Sequence, residues 1–189
     1  MYNILKNLNV MFGDSPPQRI QYYYGIWQEL FDEMLVSIKG ISFHKDLPSH
    51  EEILSFTDPK THTCIILDDV MNQASSSDVV ELLFTQISHH RNTSVFYLIQ
   101  NIFSRGKVAR TISLNAKVMH LFNNPRDIIQ YKRLGSQLGN SCSLVESFMD
   151  CMKDRYGYLI VDLTAECEPL HRLRSKIFPE EYTVIYIPK

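Results

Sequence analysis

Residues Thr63 to Asp69 read T-C-I-I-L-D-D, an apolar run that ends in two adjacent carboxylates. A carboxylate at the end of a buried strand can hold the hydration shell of a magnesium ion, and its neighbour can orient or deprotonate an attacking water. The same pair also suits a plainer role, the acidic turn that closes a strand. Further on, the apolar run Thr93 to Ile99 is followed by Gln100-Asn101, and Val118 to Phe122 by Asn123-Asn124. In a sheet whose strands alternate with helices, ligands gather beyond the carboxyl ends of the strands, where all three polar pairs would fall. Gln100 could there position a water or sense a phosphate. Arg105, Arg110 and Arg126 could stabilise transferred phosphoryl charge, within one subunit or reaching into a neighbour, or could form ordinary surface salt bridges.

Other chemistries lack their residues. The seven glycines (Gly13, Gly25, Gly40, Gly106, Gly135, Gly139, Gly157) include no pair five apart, so a G-x-x-x-x-G-K-[ST] phosphate loop is not written in these residues. Seven histidines show no H-E-x-x-H spacing, and no G-x-S-x-G nucleophile elbow occurs. Four cysteines, Cys64, Cys142, Cys151 and Cys167, have no C-x-x-C spacing, which argues against structural zinc or a disulfide framework and fits a reducing compartment. Cys64 is expected to pack as a small apolar residue.

The elements that must position the polar pairs follow from periodicity. Ile4, Leu5, Leu8 and Met11 suggest a helix over Met1 to Phe12, stopped before Gly13 and Pro16-Pro17. Arg19 to Tyr24 reads as a buried strand. Trp27, Leu30, Phe31, Met34, Leu35 and Ile38 form an amphipathic stripe, with Trp27 expected in the core. A short extended piece at Ile41 to His44 and a helical turn near Glu51 to Leu54 precede the Thr63 to Leu67 strand. Ser75 to Ser77, with Ser75 and Asp78 spaced as a capping box, would open a helix through Ile87. Helices are expected near Lys107 to Leu114, Arg126 to Gln137 and Leu144 to Asp154, with Pro125 in a first turn. Tyr158 to Leu163 and Thr183 to Ile187 read as late strands, joined by a basic, Pro-bounded segment. Strands alternating with helices argue for an α/β fold, a mostly parallel sheet with helices on both faces.

With 189 residues, 44% of them hydrophobic, the chain suits one domain, 1–189. The first residues lack the continuous apolar core of a signal peptide and no stretch is long enough to cross a bilayer, so an intracellular protein without a membrane partner is expected. Charge is uneven. Between Glu29 and Glu81 eleven acidic residues face three basic ones, a balance of -8; from Arg105 to Arg133 seven basic residues face Asp127 alone, a balance of +6. The basic block could contact nucleic acid or be a solvated face.

The ordered strings I-I-L-D-D-V, Y-L-I-Q-N-I-F, G-K-V-A-R-T-I-S-L-N and L-F-N-N-P-R-D carry a resemblance. So do P-P-Q-R-I-Q-Y-Y-Y-G-I-W-Q-E-L-F-D-E-M before them and Y-G-Y-L-I-V-D-L after them. Together they resemble the FtsK/HerA-type DNA-packaging ATPases of poxviruses, related large eukaryotic DNA viruses and virus-like transposons of the Maverick/Polinton and adintovirus kind. The likeness covers nearly the whole chain. It implies a P-loop NTPase-like fold (ASCE, RecA/FtsK-like) in which a ring of identical subunits hydrolyses ATP with Mg2+ to drive double-stranded DNA into a capsid. It places the protein in cytoplasm, nucleus or a viral assembly site. Carried over by position, Thr63 to Asp69 resembles the Walker B strand, with Asp68 on the magnesium shell and Asp69 as catalytic carboxylate. Gln100 would be the sensor, and Arg110 or Arg126 a phosphate contact. Asp69 departs from the more usual glutamate and has a shorter reach. The family's order makes Met1 to Phe12 the helix after the phosphate loop. The first strand and the loop are then missing from this chain, and ATP and Mg2+ would not be held tightly. That first strand belongs between the sensor strand and the Val118 to Phe122 strand. A non-catalytic nucleic-acid-binding or ring-assembly module is the alternative.

Overall fold

An apolar run such as Cys64-Ile-Ile-Leu67 is stable as a strand only where both faces are covered. In the computed structural model, which describes residues 1–70, 78–102, 107–124, 128–139 and 141–187, that is its position. Strand β3 (Thr63–Asp68) is buried from Thr63 to Leu67 and flanked by β1 (Arg19–Tyr24) on one side and β4 (Thr93–Leu98) on the other. With β2 (Ile41–Lys45) outside β1, the order is β2-β1-β3-β4, all parallel. The described residues fall into two compact units, Met1–Asn115 and Ala116–Lys189.

In the first unit, alternation along the strands sends side chains to two cores. Tyr23, Ile65 and Leu67 join Ile53, Leu83, Ile87, Val108 and Ile112 on one face. Ile20, Tyr22, Cys64 and Ile66 join Leu5, Phe31 and Met34 on the other. Burial pushes the Cys64 thiol up to about 12, in keeping with an apolar role.

The helix expected over Met1 to Phe12 is two short ones, α1 (Tyr2–Lys6) and α2 (Leu8–Phe12), broken at Asn7. The Asn7 side-chain amide donates to the Asn3 carbonyl at 2.9 Å, the local competition that makes Asn a poor interior helix residue. Helix α3 (Glu29–Ser37) buries Phe31 and Met34. Trp27 precedes it, 42% exposed at the rim of a ring cluster with Tyr24, Phe31 and Phe43, not in the core as expected. Helix α4 (His50–Phe56) opens on a capping box, with Ser49 Oγ accepting from the Glu52 amide and Glu52 from the Ser49 amide. The capping box expected at Ser75 lies outside the described residues. Helix α5 (Asp78–Leu82) passes through a π turn, Leu83–Ile87, into α6 (Ser88–His90). Helix α7 (Lys107–Asn115) closes the unit.

The second unit corrects the expectation of parallel strands there. Strands β5 (Val118–Phe122), β6 (Tyr158–Asp162), β7 (Leu173–Ser175) and β8 (Val184–Ile185) form a separate antiparallel sheet in that order. Two helices, α8 (Ile128–Gln137) and α9 (Ser141–Cys151), stand between β5 and β6 and pack on each other. A helical hairpin returns the chain to the end of the sheet it left, so β6 runs back against β5. The β7 strand falls in the segment read as a basic connection.

Candidate functional site

Register fixes what stands at the carboxyl end of the parallel sheet. Asp68 is level with Tyr24 of β1 and Leu98 of β4, so Asp69 and Gln100 emerge just beyond the same edge. With Gln28, Leu98 and Ile99 they line one open cleft of about 300 Å³. Asp68 is half-buried, whereas Asp69, Gln28 and Gln100 are exposed.

Two neighbours that sequence reasoning missed, Tyr22 and Gly25, hold the two aspartates in place. The Tyr22 hydroxyl donates to Asp68 Oδ2 at 2.6 Å, a short charge-assisted bond from a side chain only 2% exposed. Burial, then the carboxylate beside it, pushes the Tyr22 phenol far above its ordinary value, so it stays a donor. The Gly25 amide donates to the Asp68 carbonyl at 3.2 Å. A Cβ on Gly25 would stand 2.6 Å from the Asp69 carbonyl oxygen, so only glycine lets the two strand ends approach. Asp69 itself has φ 55°, the left-handed region where Asp is among the few tolerated residues. Asp68 shares its face with Cys64 and Ile66, whose core includes Leu5 of α1. The Met1 α-ammonium feels the Asp68 carboxylate, although burial moves its pKa down.

The sequence carried a faint signal for Tyr22. A buried tyrosine needs a partner for its hydroxyl, and Tyr22 lies two residues before the end of a strand. Which strand would bring that partner was not in the pattern.

The remaining expected residues are elsewhere. Arg110 is exposed on α7, which covers the opposite face through Val108 and Ile112, and it does not line the cleft. Arg105 and Arg126 lie outside the described residues. Of the basic block, Lys132 and Arg133 stand side by side and exposed on α8.

As a donor set, two carboxylates and two amides offer only hard neutral or anionic oxygens plus amide N–H. This fits a hydrated magnesium ion, which takes one or two carboxylates and keeps several waters. It does not fit phosphates alone, since no cationic side chain lines the cleft among the described residues. Those residues also hold no group of three or more His, Cys, Asp or Glu, and no helix long and apolar enough to cross a membrane. No family model, curated protein or solved structure matches the chain.

Proposed function

We propose that the chain is a fragment or degenerate copy of a viral or transposon-borne DNA-packaging ATPase, in which the hydrolytic half-site persists and the phosphate cradle does not. The observation that carries this reading is the meeting of Asp68, Asp69 and Gln100 in one cleft beyond two adjacent parallel strands. It is supported by one sheet edge: β4, which the resemblance puts beside the first strand of such enzymes, is the outermost strand of the parallel sheet among the described residues.

In this reading Asp68, with Oδ2 held by Tyr22, offers Oδ1 to the water shell of a magnesium ion. Asp69 takes a proton from the attacking water, at shorter reach than a glutamate would allow. Gln100 orients that water. Magnesium, when bound with ATP, supplies the charge that neutralises the phosphates. These 189 residues write no G-x-x-x-x-G-K-[ST] loop, whose amides and lysine would hold the β- and γ-phosphates. The chain alone therefore binds ATP no more tightly than millimolar, about 4 kcal/mol.

Titration with a fluorescent ATP analogue and Mg2+ tests that weakness, and micromolar binding would overturn it. The half-site is tested separately with Mn2+, whose paramagnetism broadens nearby amide resonances. Selective broadening of Asp68, Asp69 and Gln100 is expected, and its loss in Asp68→Asn; no broadening at millimolar Mn2+ sinks the half-site.

The exposed pair Lys132-Arg133 favours a second reading, a non-catalytic module that contacts nucleic acid or assembles into a ring. Duplex DNA affinity should then fall steeply with salt and weaken in Lys132→Ala/Arg133→Ala. An absence of binding at low salt would count against it.

A further inference from the structure

A carboxylate offers two oxygens to a ligand, and in Asp68 only one of them is untethered. Oδ2 accepts from the Tyr22 hydroxyl at 2.6 Å, whereas Oδ1 makes no hydrogen bond among the described residues. The donor cannot follow the carboxylate outward. Tyr22 is only 2% exposed, and its ring centroid lies 5.1 Å from that of Phe31 and 4.9 Å from that of Phe43. Bonded to so deep a phenol, Asp68 keeps Oδ2 turned toward the core, and the oxygen it brings to the cleft is Oδ1. Asp69 beside it is exposed and carries no such tether among the described residues.

This asymmetry separates divalent cations by the oxygens each prefers. Magnesium holds its water in a tight octahedron and accepts single carboxylate oxygens, whereas calcium sheds water readily, gathers more oxygens and often takes both from one carboxylate. A carboxylate whose plane is fixed by a bond at Oδ2 suits the first pattern and hinders the second. Without the hydroxyl the group regains rotation about Cβ–Cγ, a broad torsion in aspartate, and both oxygens can turn into the cleft.

With the cleft read as a magnesium half-site, on which this step rests, we infer that Tyr22 sets its choice of cation, holding Asp68 to a single free oxygen and so disfavouring calcium. Tyr22 touches no ion itself, so it is a positioning residue. If its hydroxyl served stability alone, removing it would leave the ratio of magnesium to calcium affinity where it was.

The test is amide chemical-shift titration of the whole chain with MgCl2 and, separately, CaCl2 at fixed ionic strength, followed at Asp68, Asp69 and Gln100. In the wild-type chain Mg2+ should bind with Kd on the order of 1–10 mM, and Ca2+ no more tightly. In Tyr22→Phe, Ca2+ should bind about tenfold more tightly, while Mg2+ changes by less than about threefold. A wild-type chain that binds Ca2+ more tightly than Mg2+ overturns the proposal without any variant. Mg2+ binding with an affinity ratio unchanged in Tyr22→Phe removes the role of Tyr22 and leaves the half-site standing. Absence of a saturable shift with either cation up to about 50 mM overturns the half-site itself, and the role of Tyr22 with it.

Discussion

The two carboxylates of the candidate site are held by groups that differ from them in kind, a phenol and a glycine. The Tyr22 bond takes one oxygen of Asp68, so the carboxylate enters the cleft with a single free face. Removing the hydroxyl in Tyr22→Phe leaves the ring packing against Phe31 and Phe43 intact and should cost about 1.5–3 kcal/mol, the usual worth of a bond to a charged acceptor; urea unfolding measures it. Gly25→Ala should cost about 1–3 kcal/mol, because its new methyl meets a backbone carbonyl that cannot rotate away. The same denaturation experiment reads this variant, and wild-type stability would show that the β1 end can move off Asp69. Cys64 offers a third check. Its thiol, raised to about 12 by burial, should resist a thiol reagent at pH 8 in the folded chain, whereas exposed Cys142 reacts at once.

Elements with one strong local cause were legible in the sequence, and elements set by a distant partner were not. The β3 run is apolar at four successive positions and was readable as a doubly covered strand. The end of β1 at Tyr24 and the course of β5 also followed from composition. By contrast, β7 is a three-residue strand whose only cause is pairing with β6 and β8, and no periodicity marks it. The break at Asn7 arises from one side-chain bond that apolar spacing cannot reveal. Helix α4 lies between these cases: its capping box is written as Ser49 and Glu52, yet the spacing of its apolar residues marks no more than a helical turn. Ser49→Ala should lower stability by about 1 kcal/mol, measured by thermal or urea unfolding. The Ser49 amide, and then its hydroxyl, hold the Glu52 carboxyl below its ordinary value. A folded value below the unfolded one gives a contribution that is full above about pH 4.3 and lost as pH falls through the folded value. The difference between wild type and Glu52→Gln should therefore shrink as acid is added below pH 4.3.

At the scale of the molecule, alternation of strands and helices revealed the α/β class but not that strands after residue 115 form a sheet of their own. A helix pair between β5 and β6 has the same local pattern as a single crossover helix of greater length, and only the count of reversals separates parallel from antiparallel. The site was legible to the extent that it lies at strand ends: Asp68, Asp69 and Gln100 meet, while Arg110 belongs to a helix whose face was not determined by its sequence. The two edges of the parallel sheet differ in a way that can be measured. The β2 edge carries His44 and Lys45 and is short, the usual protection of an outer strand. The β4 edge, T-S-V-F-Y-L, has neither charge nor proline, although its side chains pack into both cores. In a parallel strand alternate amides point to opposite sides, so half of those in β4 bond to β3 and the rest point outward. Hydrogen exchange along Thr93–Leu98 should alternate, the outward amides exchanging on the order of 100-fold faster than their neighbours, while β3, paired on both sides, is slow throughout. Uniform protection of all six β4 amides in the free chain would mean that this edge is already covered, and would remove the open edge as support for a missing first strand. Selective slowing of the outward amides when a longer chain supplies further sequence would instead identify β4 as the strand that receives it.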